Sequence, residues 1–102
     1  MTFRSRALLD LAHEMPCMAD FPHTCSGYLG CEPAHSDSHL FGRGHGHKSH
    51  DFAFASLCRN AHHAISAKVG DKTDREQKFY DWLRAFVKTQ EWLWTNKKLR
   101  IA

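Results

Sequence analysis

Apolar residues recur at helical spacing near both ends of the chain and at strand spacing between them. Phe3, Ala7, Leu8, Leu11 and Ala12 predict a short helix over residues 3–14. Met15-Pro16 ends it, because the residue before a proline is pushed out of the α region. Far downstream, Phe79, Trp82, Leu83, Phe86, Val87, Leu93 and Trp94 recur at steps of three, four and seven. They predict the longest helix, about 20 residues over roughly 74–95, with a wide apolar face that covers a sheet. Thr73-Asp-Arg-Glu76 has the form of a capping box at its start. Between these ends, residues 32–36 read as a short strand carrying His35. Residues 51–57 read as a second strand, with Phe52 and Phe54 alternating with Ala53 and Ala55. Residues 58–68 then read as a helix, with Asn60 a candidate cap and Gly70 just past its end.

Two stretches carry no such periodicity. Residues 17–31 hold Pro22, Gly27, Gly30 and three cysteines, at 17, 25 and 31. A segment of this kind has few ways to order itself without a metal. The Cys-x7-Cys pair at 17 and 25 can clasp one ion across a loop, although a Cys-x2-Cys knuckle is the stronger signature. Residues 37–50 contain Gly42, Gly44 and Gly46, which make the backbone permissive. The tail Lys97-Lys98-Leu99-Arg100 is basic and reads as a solvated end.

Length and composition set the frame. The 102 residues are expected to form one α+β domain, with its core at about 17–70 and the long C-terminal helix behind it. A core of this size is thin, and a structural metal would help it. The net charge of +3 suits an anionic partner without demonstrating one. No segment approaches the roughly 20 apolar residues of a membrane span. Residues 1–14 lack a signal peptide's apolar run, so the expected location is cytoplasmic. Four cysteines in that compartment read as thiols or metal ligands rather than disulfides.

The chemistry concentrates in residues 33–63, which hold seven of the nine histidines. His, Asp, Lys and Gly without apolar periodicity cannot build a core, and the apolar run of residues 52–57 that follows argues for an ordered site. Cys58 and His62 lie four apart and share a face of one helical turn. Strand, His, Gly-rich loop, strand, Cys and a helix with His follow one another as in the ββα-metal nucleases.

Particular residues carry a closer resemblance. Ala34-His35-Ser36-Asp37, Gly42-Arg-Gly-His-Gly-His-Lys48, Asp51 and Leu57-Cys58-x-x-x-His62 resemble the motifs of a group of small phage and prophage HNH-like nucleases. Cys17 and Cys25 match that group's first cysteine pair in spacing, and Trp82, Ala85 and Thr89 its late helix. The resemblance implies a small ββα-metal domain of the HNH, or His-Me finger, kind, flanked by an N-terminal helix and the long C-terminal one. It implies a metal-dependent DNA endonuclease acting on duplex or branched DNA in a host cell's cytoplasm. His35 would be the general base, with His62 and Asp37 on a catalytic Mg²⁺ or Mn²⁺. Arg43 and Lys48 would touch phosphate. A structural Zn²⁺ would sit on Cys17, Cys25 and Cys58. The group's further cysteine is Ala61 here, so the fourth ligand would be Cys31, His62, His63 or solvent, or the zinc would be lost.

Plainer readings stand beside these. A lone His35 is an ordinary surface or core histidine, and His63 is an exposed one. His39, His45, His47 and His50 make a tract of the kind that binds transition metals weakly, which suggests a histidine-rich metal carrier. Asp51 either caps a turn or orients a catalytic group, and Cys31 reads as a small buried residue. The chief competitor to the nuclease is a zinc-stabilised DNA-binding or adaptor module that does not cleave. A plasmid-nicking assay with His35→Ala as control separates the two.

Overall fold

The computed structural model describes residues 3–26, 30–35, 49–66, 71–99 and 101. Asp37, Arg43 and Lys48, together with His39, His45 and His47, lie outside the described residues, so the roles expected of them gain no geometry.

Helix α1 spans Arg6–Asp10 and passes into a 3₁₀ turn over Leu11–Glu14. The helix starts later than residue 3 because Ser5 is its cap, with Oγ accepting from the Leu8 amide at 3.2 Å. Met15 is extended ahead of Pro16, which ends the segment where the proline requires. Strand β1 is Glu32–His35 and strand β2 is Phe54–Leu57. They pair antiparallel, with Glu32 opposite Leu57 and His35 opposite Phe54. Phe52 therefore precedes β2 instead of belonging to it, and its ring is exposed.

All four residues of β2 are buried, because the strand is covered on both faces. Helix α3, Lys72–Thr95, supplies one cover. Trp82, Ala85, Thr89 and Leu93 are its buried residues, spaced three and four apart as a helix stripe demands. Trp82 Nε1 donates to the Ala34 carbonyl at 2.8 Å. Thr89 Oγ1 accepts from the Ser56 amide at 2.9 Å and donates to the Ala85 carbonyl at 2.8 Å. One hydroxyl thus satisfies a buried strand amide and anchors the helix over the sheet. Along the edge of β2 away from β1, residues 16–18 run beside the strand. Ser56 Oγ donates to Pro16 O at 3.2 Å, and the Met18 amide donates to Ser56 O at 2.9 Å.

Two buried clusters result. Cys31, Ala34, Ala55, Leu57, Cys58 and Ala61 pack under Trp82 and Ala85. Ala12, Met15, Phe54 and Leu93 form the other, and Met18 packs against both. The apolar face of α3 is wider than the sheet it covers, so Phe79, Val87 and Trp94 remain exposed. Its capping box is Asp71 with Asp74, two residues ahead of the expected Thr73 and Glu76. Both tetrads fit the pattern, and the extended backbone of Asp71 marks where the helix begins.

Helix α2, Arg59–Ser66, follows β2 directly. Asn60 is not its cap. Asn60 sits inside the first turn and reaches outward, Nδ2 donating to Thr24 O at 2.8 Å. The capping acceptor is Cys58, whose Sγ takes the Ala61 amide at 3.4 Å. The architecture is therefore α+β: helices packed around a two-stranded antiparallel sheet. Among the described residues no helix is long and apolar enough to cross a membrane.

Candidate metal centre

Residues 17–25 lie against the start of α2, held there by polar contacts. The Met18 amide is bonded to β2, Asn60 is bonded to Thr24, and Asp20 pairs with Arg84 and, at 3.3 Å, with Lys88 of α3. Folded in this way, the segment brings Cys17, His23 and Cys25 to Cys58. One donor atom from each of the four lies within 4.8 Å of every other. The expected convergence of the three cysteines is met, and the fourth member is His23.

The chemistry of this set fits a tetrahedral soft-donor ion. Zinc–sulfur bonds of about 2.3 Å and zinc–nitrogen bonds of about 2.0–2.1 Å set donor–donor edges near 3.6–3.8 Å. Cys17 Sγ and His23 Nε2 are 3.7 Å apart. His23 Nδ1 is 2.8 Å from the Phe21 carbonyl oxygen. A carbonyl only accepts, so the proton is on Nδ1 and the lone pair on Nε2, directed at the cluster. This is the outer contact that orients a metal-bound histidine and fixes its tautomer.

The thiols are prepared unequally. Burial pushes Cys58 up, but hydrogen bonds from Ser26 and Ala61 and a contact with Cys17 outweigh it and hold Cys58 at about 6. Its position at the head of α2 adds the field of the helix N-terminus. Burial raises Cys17, although the Cys58 amide donates to its sulfur at 3.3 Å. The pair thus readily carries one negative charge before any cation arrives. Cys31 is different: burial first, then the Cys17 charge, push it to about 11, and it packs as a neutral thiol in the core.

His23 replaces the alternatives Cys31, His62, His63 and solvent. Its signal was present in the chain: His23-x-Cys25 places two donors two residues apart, and in extended backbone such residues share a side. His62 lies elsewhere, with Nδ1 2.9 Å from Glu32 Oε1 on β1 and Arg59 Nε 3.9 Å from the other oxygen. A carboxylate oxygen accepts, so the remaining nitrogen of neutral His62, Nε2, keeps its lone pair. His63 is exposed.

His35 ends β1 with its side chain 33% exposed, and its Nε2 lies 3.3 Å from Asp51 Oδ1. Asp51 is 7% exposed. It also takes Arg4 Nη1 at 2.8 Å and the Ser5 amide at 2.7 Å. Burial alone would raise its pKa, but the Ser5, Arg4 and His35 hydrogen bonds together lower it, so Asp51 is a carboxylate. Nε2–H therefore donates, and in the neutral form of the ring the lone pair lies on Nδ1. Asp51 thus orients the His35 ring. Glu32 and His35 are three residues apart, so strand alternation sends them to opposite faces of β1.

No family model, curated protein or solved structure matches the chain.

Proposed function

We propose that this chain is a metal-dependent DNA endonuclease whose fold is held by zinc on Cys17, His23, Cys25 and Cys58. The observation that carries the reading is the His35–Asp51 pair. A buried carboxylate holds Nε2–H of a partly exposed histidine, which leaves Nδ1 free to take a proton from water. It sits at the end of the first strand of a β1–β2–α2 unit, where the resemblance to small HNH-like nucleases expects the base.

The remaining roles follow the sequence motifs. His62, kept in one tautomer by Glu32, offers Nε2 to a divalent cation, and Asp37 is the expected oxygen ligand. Such a cation, when bound, stabilises charge on the phosphate and on the leaving oxygen. Arg43 and Lys48 are assigned to phosphate contacts. Zinc has no part in the reaction, since four protein donors close its coordination shell. The test is nicking of a supercoiled plasmid in Mg²⁺ or Mn²⁺ by the parent and by His35→Ala. Parent activity that the substitution removes supports the reading, and equal rates refute it.

A second reading is favoured by one observation: His35 and the Glu32–His62 pair leave β1 on opposite faces. A zinc-stabilised module that binds DNA without cutting it needs no ion shared between them. An inactive parent that still binds DNA would select that reading.

A further inference from the structure

Five contacts fasten the chain ahead of α1 onto the chain ahead of β2. The Phe3 amide donates to His50 Nδ1 at 2.9 Å, and Phe3 O accepts from the Asp51 amide at 2.9 Å. Arg4 Nη1 donates to Ser49 O and to Asp51 Oδ1, both at 2.8 Å, and the Ser5 amide donates to Asp51 Oδ2 at 2.7 Å. Asp51 is also the residue that holds His35, so this clamp and the proposed base share one carboxylate.

The clamp fixes two phenylalanine rings at the surface. Phe3 is 47% exposed and Phe52 is 42% exposed. Their centroids are 5.8 Å apart with the planes at 54°, and His50 stacks on Phe52 at 5.0 Å and 9°. Neither ring joins the two buried clusters. A single exposed aromatic needs no explanation. Two rings packed on Phe52, with the backbone around them held by hydrogen bonds beside a candidate base, do. Of the ion pair beside them, the Arg4 side chain is 45% exposed, whereas the Asp51 carboxylate is buried.

Flat apolar faces edged by a cationic side chain complement a flat ligand that carries negative charge. A nucleotide has that form, but in an intact duplex the base faces are already stacked on one another. An unpaired base presents its face to a protein ring without the cost of unstacking a duplex step. We infer that Phe3, His50 and Phe52 form a stacking platform for an unpaired base of single-stranded DNA, with the adjoining phosphate toward Arg4 and His35. The inference rests on the DNA reading above and narrows its substrate to strands with unpaired bases, such as flaps, gaps and branched junctions.

The test is fluorescence anisotropy of the full chain with a labelled DNA strand and with its blunt duplex, at one salt concentration and without Mg²⁺. The parent is expected to prefer the strand. Phe3→Ala and Phe52→Ala should each weaken strand binding by about 5–150-fold, the usual worth of one base–aromatic stack. Binding to the blunt duplex should change little, and Phe52→Trp should retain strand binding. An abasic strand should erase the difference between the parent and Phe52→Ala. Val87→Ala, exposed on α3, should behave as the parent. Phenylalanine variants that bind the strand as the parent does, or that lose strand and duplex equally, overturn the platform. So does a parent that nicks intact duplex with no preference for unpaired strands, while leaving the nuclease reading standing. A parent that binds neither form removes the DNA reading, and the platform with it.

Discussion

His23 Nε2 faces Cys17 Sγ at 3.7 Å while His23 Nδ1 donates to the Phe21 carbonyl. The ring is therefore fixed in the tautomer and direction that a tetrahedral ion shared with Cys17, Cys25 and Cys58 requires. One mole of zinc per mole of purified protein is the expected stoichiometry. Cobalt substitution should give the visible absorption of a site with three thiolates and one imidazole, and His23→Ala should lose that spectrum.

Metal removal should also destabilise the fold, because the ion would tie Cys17, His23 and Cys25 to Cys58 in addition to the polar contacts that hold the 17–25 segment on β2 and α2. Binding free energy at a structural zinc site is largely folding free energy. A loss of even about 3 kcal/mol would lower the melting temperature of a domain this size by roughly 12–24 °C. Thermal melts with and without a strong chelator measure this. An unchanged melting temperature would show that the segment is held without the ion. Cys31→Ala should leave the zinc content at the parent value, since that thiol is protonated and lies in the core.

The Thr89–Ser56 hydrogen bond makes a prediction about the fold alone. Thr89→Val keeps the volume but leaves the buried Ser56 amide without its acceptor. An unsatisfied buried donor costs about 1–3 kcal/mol. Urea denaturation should show the midpoint falling with an unchanged slope. A variant as stable as the parent would mean that water or a shifted backbone supplies the acceptor.

Much of this architecture was legible in the sequence, and the exceptions are instructive. The α3 stripe, the stop at Pro16 and the strand ending at His35 follow from local periodicity and backbone sterics, which the chain displays directly. The pattern extends β2 to Phe52 because alternation continues one period beyond the residues that pair. The stripe over-predicted burial on α3, since the pattern records apolar character but not the width of the surface opposite. An irregular loop brings His23 to Cys58, 35 positions away, and no periodic signal marks that approach. The partnership of His35 with Asp51 spans 16 residues, and the sequence marks each residue separately. The Arg4–Ser5 clamp that holds Asp51 comes from a part of the chain outside the resembling motifs.

That clamp should appear in the acid stability of the protein. The carboxyl of Asp51 titrates below its ordinary value, with burial opposed by the Ser5, Arg4 and His35 hydrogen bonds. A group whose folded pKa is depressed contributes stability above its unfolded pKa, about 3.9 for aspartate, and loses it as pH falls through the folded value. Stability should therefore be level above about pH 5 for this group and decline below about 4. Asp51→Asn should lower stability at neutral pH and flatten that acid decline. Denaturation midpoints of the two proteins between acid and neutral pH check it, and parallel curves would deny Asp51 the role.

The proposed base can be tested so that chemistry is separated from folding. His35 lies at the end of β1 with its side chain a third exposed, so His35→Ala should keep the fold and the zinc. It should lose about 10²–10⁴ in cleavage rate, the usual contribution of a positioned acid or base. Added imidazole should restore part of that rate, because a small base can occupy the space the side chain leaves. Asp51→Asn should also slow cleavage, since an amide no longer enforces the tautomer that presents Nδ1. Imidazole should not rescue it, because the His35 ring still fills the site. Arg4→Lys preserves the charge beside Asp51, and it should fall closer to the parent than Arg4→Ala does. The decisive comparison is rate against imidazole concentration for His35→Ala and Asp51→Asn side by side. If imidazole rescues both or neither, His35 does not act as the base held by Asp51.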